Sequence, residues 1–243
     1  FFQVFQPRGG GKRQAPTFDV IAPGVAKHEE EIVLAPGAEP AADPNLVLRV
    51  AVAAAEYGLP IAPGTLRNLK KCPIGDRNWT DESRELFIRL LASGPALLNV
   101  WEDIDFIDVP GKLIPEWLGV RNRPSASAAH RYTIDRHMVE VVTRLGRETP
   151  SGGRYDDRHY EALLLAGILH DIGKRPGVAN HAAEGARHAT VVVERMGFDR
   201  DIVRWVTLLV REHLTLSEFA TGRNPNDPNV GDDLAGRLDH NPV

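Results

Sequence analysis

Tyr160-Glu-Ala-Leu-Leu-Leu-Ala-Gly-Ile-Leu-His-Asp-Ile-Gly-Lys174 decides the fold of this chain: a nearly unbroken apolar run that ends in adjacent His170 and Asp171. A helix that is apolar on every side is a buried one. The run therefore predicts a helical core, with the His-Asp pair in the last turn of its central helix. An ionised carboxylate there is opposed by desolvation and by the negative end of the helix dipole. A bound cation would offset both. Gly173 and Pro176 mark the stop just past the pair. Taken alone, such a pair can also sit at a helix end with its His bonded to a carbonyl and its Asp solvated. The other histidines shift the balance toward a metal.

From Ile134 to Leu145, the residues Ile134, Met138, Val141, Val142 and Leu145 recur at helical spacing, and His137 lies on their face. From Ile202 to Leu214, the stripe Ile202, Val203, Val206, Leu209 and Val210 is continued one turn further by His213. Asn180 is a good N-cap for a helix running to about Met196, which puts His181 in its first turn. A lone His on an apolar face is usually a satisfied core residue. Four helices that each direct one inward, His137, His170, His181 and His213 around Asp171, point to a metal site. Imidazoles with a carboxylate and no thiolate suit iron, manganese, cobalt, zinc or magnesium rather than a structural zinc-thiolate site, and the sole cysteine, Cys72, lies far upstream.

Neighbours on a helix diverge by about 100°, so His170 and Asp171 are not expected to grip one ion as a chelating pair. Asp171 is expected to bridge two ions or to take the opposite flank of one. One or two divalent cations make hydrolysis at phosphorus the plausible reaction, since they acidify water and neutralise phosphoryl charge. Lys174, one turn beyond His170, is placed to hold a leaving or non-bridging oxygen. Its bland alternative is a solvated lysine at a helix end. His188, on the same side of its helix as His181, is a candidate extra ligand. His130, seven residues before His137, is a candidate substrate contact. His28, His159 and His240 read as bystanders.

The phrases His130-Arg-Tyr-Thr-Ile-Asp-Arg-His137, Leu169-His-Asp-Ile-Gly-Lys174, His181-Ala-Ala-Glu-Gly-Ala186 and Val210-Arg-Glu-His-Leu214 resemble the HD phosphohydrolase superfamily. Together with Trp101-Glu-Asp-Ile-Asp-Phe-Ile-Asp-Val-Pro-Gly-Lys-Leu-Ile-Pro-Glu-Trp117 they are similar to one branch of it, the bacterial PII uridylyltransferase/uridylyl-removing enzymes of actinobacterial type. The resemblance runs from about Ala42 to the end. It implies a mainly α fold, a helical HD-domain phosphohydrolase with an N-terminal helical connector. The implied activity is metal-dependent removal of a nucleotidyl group, UMP or AMP, from a tyrosine of the PII signal protein. Magnesium, manganese or iron would be held by His137, His170, Asp171, His181 and His213, with Asp171 and Lys174 catalytic. Departures are Asn180 where the family usually has Asp, Glu212 where it often has His, and Phe219 to Pro228 in place of an Arg-Asp-rich stretch. The superfamily's last ligand is an aspartate on a later helix, expected to lie past Val243, and Asp232, Asp233 and Asp239 in a solvated connector are poor substitutes.

Residues 1 to 41 are rich in Gly and Pro, and Phe18–Ile21 and Glu31–Leu34 around Pro23-Gly24 predict a short β-hairpin; the resemblance implies that this is the tail of a preceding nucleotidyltransferase domain. Residues 42–120 predict helices from Asp43-Pro44 to Glu56 before Gly58, then Pro63 to Leu69, Asp81 to Leu91 and Pro95 to Trp101, which the resemblance implies form the helical connector. Trp101 and Trp117 read as core anchors. The resemblance implies that residues 121–243 are the HD domain, truncated at its C-terminus. No Gly-Ser loop with an Asp-x-Asp pair appears in residues 1–60, so nucleotidyl transfer is not expected of this stretch.

The composition is consistent with that reading. Of the 243 residues 42% are hydrophobic, enough for a core. A net charge of -4 argues against general DNA or membrane-surface binding. One cysteine rules out an internal disulfide framework and fits a cytoplasmic protein. No apolar run approaches the roughly 18 residues needed to span a bilayer. Two rival functions remain at this level. One is an HD hydrolase acting on free nucleotides, and the other is a non-catalytic module that contacts PII.

Overall fold

The computed structural model describes residues 17–75, 79–124, 132–146, 157–222 and 229–237. The fold is mainly helical. Its small sheet contains β1 (Asp19–Ala22), β2 (Val25–His28) and β3 (Glu31–Leu34), antiparallel and in the order β1-β2-β3. The expected hairpin is thus present, as part of a three-stranded antiparallel sheet in which β2 is the additional strand. Pro23-Gly24 turns β1 into β2, a four-residue strand that is half polar and too short to show alternation, and Glu29 at φ 53 turns β2 into β3. Val25 and Ile32 are fully buried and join the core formed by the helices.

Seven elements follow. They are α1 (Leu46–Tyr57), α2 (Pro63–Leu69), α3 (Asp81–Leu91), α4 (Ala96–Phe106), α5 (Val109–Leu113), the 3-10 turn Pro115–Gly119, and then α6 (Ile134–Leu145). Helix α1 begins later than the Asp43-Pro44 signal suggested. Asp43 instead accepts from the Asn45 amide at 3.0 Å and pairs with Arg49, and Gly58, left-handed at φ 64, closes the helix as expected. Helix α3 starts on a reciprocal Thr80/Ser83 capping box. Helix α4 runs beyond Trp101 to Phe106. Trp101 and Trp117 are both buried with ring centroids 5.3 Å apart, which makes them core anchors.

Helices α7 (Asp157–Leu169), α8 (His181–Arg195) and α9 (Arg200–Arg211) pack together, with α6, which carries His137, packed on α7. Helix α7 buries Tyr160, Ala162, Leu164, Leu165, Ala166, Gly167, Ile168 and Leu169, as its composition predicts, and packs against α3, α6, α8 and α9. Asn180 caps α8 by accepting from the Ala183 amide at 3.0 Å, and Asp199 caps α9 by accepting from the Asp201 and Ile202 amides. Helix α6 buries Val139 and Thr143 as well as Met138 and Val142, while Val141 is only partly buried. Helix α10 (Thr215–Gly222) follows, and α11 (Asn229–Arg237) occupies the stretch read as a solvated connector. Asp232 and Asp233 are exposed on α11. Asp239 and His240 lie outside the described residues.

Candidate metal centre

Helix α7 ends at Leu169, so His170 and Asp171 lie in the turn just beyond it and not in its last turn. The Ile172 amide donates to the Leu169 carbonyl at 3.0 Å and the Lys174 amide to the Asp171 carbonyl at 2.9 Å, which tightens this turn. His213 repeats the arrangement, two residues past the end of α9. The correction matters because the divergence of about 100° between neighbours holds only within a helix. In the turn, His170 and Asp171 converge.

Two overlapping groups result. The ligand atoms of His137, His170 and Asp171 all lie within 4.8 Å of one another, and so do those of Asp171, His181 and His213. Asp171, 3% exposed, belongs to both. Its two oxygens face opposite ways. Oδ2 is 3.7 Å from His170 Nε2 and 3.2 Å from Lys174 Nζ, while Oδ1 is 3.7 Å from His181 Nε2 and 3.6 Å from His213 Nε2. The edges of the rings meet across the cluster, with centroids of His137 and His170 5.1 Å apart, His170 and His213 5.4 Å, and His181 and His213 5.5 Å.

The backbone sets the ring orientation. His170 Nδ1 lies 2.8 Å from the Gly167 carbonyl, and His213 Nδ1 lies 2.7 Å from the Val210 carbonyl. A carbonyl can only accept, so each Nδ1 donates and each Nε2, when the ring is neutral, directs its lone pair at Asp171. This is how protein scaffolds orient metal-bound imidazoles. The Nε2 atoms of His181 and His213 are buried without a hydrogen-bond partner. Unpartnered ring nitrogens around a buried carboxylate fit a divalent cation, and the absence of thiolate in the set fits a cation bound through nitrogen and oxygen.

The electrostatics agree. Burial opposes ionisation of Asp171, yet His213, His170 and Lys174 together hold its carboxyl well below the usual carboxylate range. Burial pushes the His170 imidazole down to about 4 and outweighs its attraction to Asp171, so it stays neutral and able to ligate at neutral pH. His181 is also lowered, by burial first. His213 is pulled down by burial but raised overall by Asp171 and the Val210 carbonyl.

Close backbone approach joins the turn to α8. A Cβ on Gly173 would stand 2.3 Å from the Gly185 amide nitrogen and 2.4 Å from the His181 carbonyl oxygen. From sequence, Gly173 carried only the signal of a helix stop. Its second role, letting His181 approach Asp171, needed the neighbouring helix to be seen. His188 is not part of the cluster. Its Nε2 lies 3.1 Å from Glu184 Oε1, one turn back on α8. His28 lies near the Thr17 carbonyl and His159 stacks on Trp205 at 4.2 Å, and neither belongs to the two ligand groups. His130 lies outside the described residues.

The fold and the cluster define a class: a mainly helical protein whose four histidines and one shared aspartate, carried on four helices and the turns that follow them, suit one or two divalent cations. The chain is homologous to one segment of the bifunctional uridylyltransferase/uridylyl-removing enzymes. It is 40% identical over 224 residues to that of Streptomyces coelicolor, with 91% of this chain and 26% of the relative covered. To that of Mycobacterium tuberculosis strain H37Rv it is 38% identical over 220 residues, 90% of this chain and 26% of the relative. To that of Corynebacterium glutamicum it is 32% identical over 195 residues, 79% of this chain and 27% of the relative. The chain thus spans about a quarter of the length of these curated relatives. No protein-family model matches it. Among the described residues no helix is long and apolar enough to cross a membrane.

Proposed function

We propose that this chain is the metal-dependent phosphodiesterase segment of a cytoplasmic bifunctional enzyme, and that it removes the uridylyl group from the PII signal protein. The reading divides it into the tail of a nucleotidyltransferase domain (1–41), a connector (42–120) and the hydrolase domain (121–243). The observation that carries the reading is the sharing of Asp171 between two groups of ligand atoms, His137 with His170 and His181 with His213. The relatives' names supply the uridylyl-removing reaction.

One or two magnesium, manganese or iron ions held by His137, His170, Asp171, His181 and His213 would supply Lewis acidity and neutralise phosphoryl charge. The chain's own residues do the rest. Asp171 stays ionised, held so by His213, His170 and Lys174 against the effect of burial. The Gly167 and Val210 carbonyls fix the tautomers of His170 and His213. Lys174, 3.2 Å from Asp171 at the margin of the cluster, holds a non-bridging oxygen of the phosphodiester. Hydrolysis joins the oxygen of water to phosphorus and breaks the bond from phosphorus to the tyrosine oxygen. The leaving phenolate takes up a proton, and UMP is released.

The test is incubation of the protein with Mn²⁺ or Mg²⁺ and, in parallel, uridylylated PII, adenylylated PII and free nucleotides. Release of UMP from PII alone is the expected result. Release of AMP instead changes the nucleotide assignment, and turnover of free nucleotides moves the protein to a different hydrolase class. PII binding with no hydrolysis under any divalent ion makes it a non-catalytic module.

A further inference from the structure

Arg175 is the first residue past Lys174, and it does not point to solvent. Its Nη2 donates to the Glu116 carbonyl at 2.8 Å, and its Nε is buried without a hydrogen-bond partner. The guanidinium lies directly on Gly119, where a Cβ would stand 2.4 Å from Nε and 2.5 Å from Cζ. Only a glycine leaves room for it. The same Glu116 closes a two-point ion pair with Arg195 of α8, at 2.9 and 2.6 Å. The turn Pro115–Gly119 therefore holds both the ligand-bearing turn and the helix that carries His181. That turn is itself anchored by Trp117, which is 1% exposed and packs on Trp101 of α4.

We propose that Arg175 is a positioning residue, clamped between the Glu116 carbonyl and Gly119, through which the helices preceding α6 set the geometry of the His170-Asp171 turn and its affinity for divalent cations. The physical reason is leverage. Asp171 must present both oxygens at once; the turn that carries it continues from α7 with Ile172 buried in the core, and on its C-terminal side Arg175 and the close Gly173–Gly185 approach tie it to the turn Pro115–Gly119 and to α8. Releasing the guanidinium removes one of these ties and loosens the C-terminal side. The proposal rests on the metal-binding reading above.

Gly119→Ala is a selective probe, because its methyl group meets the movable end of an arginine side chain and not backbone. Arg175→Met removes the head group and keeps most of the stem. Mn²⁺ affinity is measured by titration calorimetry, amide exchange is followed over residues 169–174, and the melting temperature of the metal-free protein is recorded. Each variant is expected to bind Mn²⁺ about three- to tenfold more weakly, short of the roughly 10–100-fold loss typical of a direct partner of a ligand. Exchange in the turn should be faster and melting unchanged. The double variant should be no worse than either single one, because Gly119→Ala acts through Arg175.

Wild-type affinity in both variants, or losses that add in the double variant, overturns the clamp. If Gly119→Ala fails to fold, Arg175→Met decides alone. If the wild type binds no divalent ion, the metal reading fails and exchange still judges the clamp: faster turn exchange in the variants supports it, and unchanged exchange overturns it.

Discussion

Gly173→Ala tests how tightly the His170-Asp171 turn is docked. No left-handed φ is required at this position, so the backbone accepts alanine and the whole effect comes from contact. The new Cβ would stand 2.3 Å from the Gly185 nitrogen, 2.4 Å from the His181 carbonyl oxygen and 2.7 Å from Gly185 Cα, about 1 Å short of the 3.4 Å at which ordinary contact begins. All three are backbone atoms, so relief requires α8 to move away from the turn by about that distance. Overpacking of this kind costs about 1–3 kcal/mol. At about 2–4 °C per kcal/mol for a chain of this size, the melting temperature should fall by roughly 2–12 °C.

The same displacement carries His181 away from Asp171 Oδ1, now 3.7 Å distant. Ligand-to-metal bonds of about 2.0–2.2 Å tolerate little such movement, so Mn²⁺ affinity should fall by at least about tenfold. Gly177→Ala is the control. It sits at φ 79 with nothing within 4 Å, so it should lower stability by about 1–2 kcal/mol through left-handed strain and leave Mn²⁺ affinity alone. Calorimetric melting and Mn²⁺ titration on both variants give the answer. A Gly173→Ala protein that melts and binds Mn²⁺ like the wild type refutes the reasoning.

Further outcomes follow from other parts of the molecule. Asp171→Ala should abolish Mn²⁺ binding, because both ligand groups share that residue, whereas His137→Ala should leave binding at the group of Asp171, His181 and His213; titration stoichiometry distinguishes them, and equal loss in both variants contradicts the sharing. Burial pushes the Glu116 carboxyl up, but its hydrogen bonds and ion pair with Arg195 hold it below its ordinary value. The stability this contributes is therefore complete above the unfolded value of about 4.3 and is lost as pH falls through the lower folded value. Denaturant unfolding of wild type and Glu116→Gln should show a constant gap at neutral pH that closes below about pH 4. Trp117→Ala, which empties a site 1% exposed beside Trp101, should cost about 3–5 kcal/mol in the same assay, and a loss under 1 kcal/mol would show the site to be loosely packed.

Local chemistry explains which elements the sequence makes legible. Helix α6 runs over Ile134–Leu145, α3 over Asp81–Leu91 and α2 over Pro63–Leu69, as their apolar spacing and end signals indicate. Asn180 caps α8 because its side chain meets the third amide of the helix. β2 escaped because Val25-Ala-Lys-His28 has too little alternation to read as a strand without its neighbours. The sequence pattern carries the helix through His170 and Asp171 because residues 162–169 are apolar up to the pair. Periodicity cannot register that hydrogen bonding passes into a tight turn at Leu169.

The sequence by itself determined the mainly helical fold and the five residues that meet at the cluster. Apolar period and histidine position are properties of single helices, and each can be read along the chain. Tertiary structure alone decided how those residues meet. Asp171 turns one oxygen to His170 and the other to His181 and His213, Gly173 admits α8 to contact distance, and Arg175 reaches back to Glu116 across 59 positions of the chain. Each of these depends on where separate helices cross, a distance that local sequence does not encode.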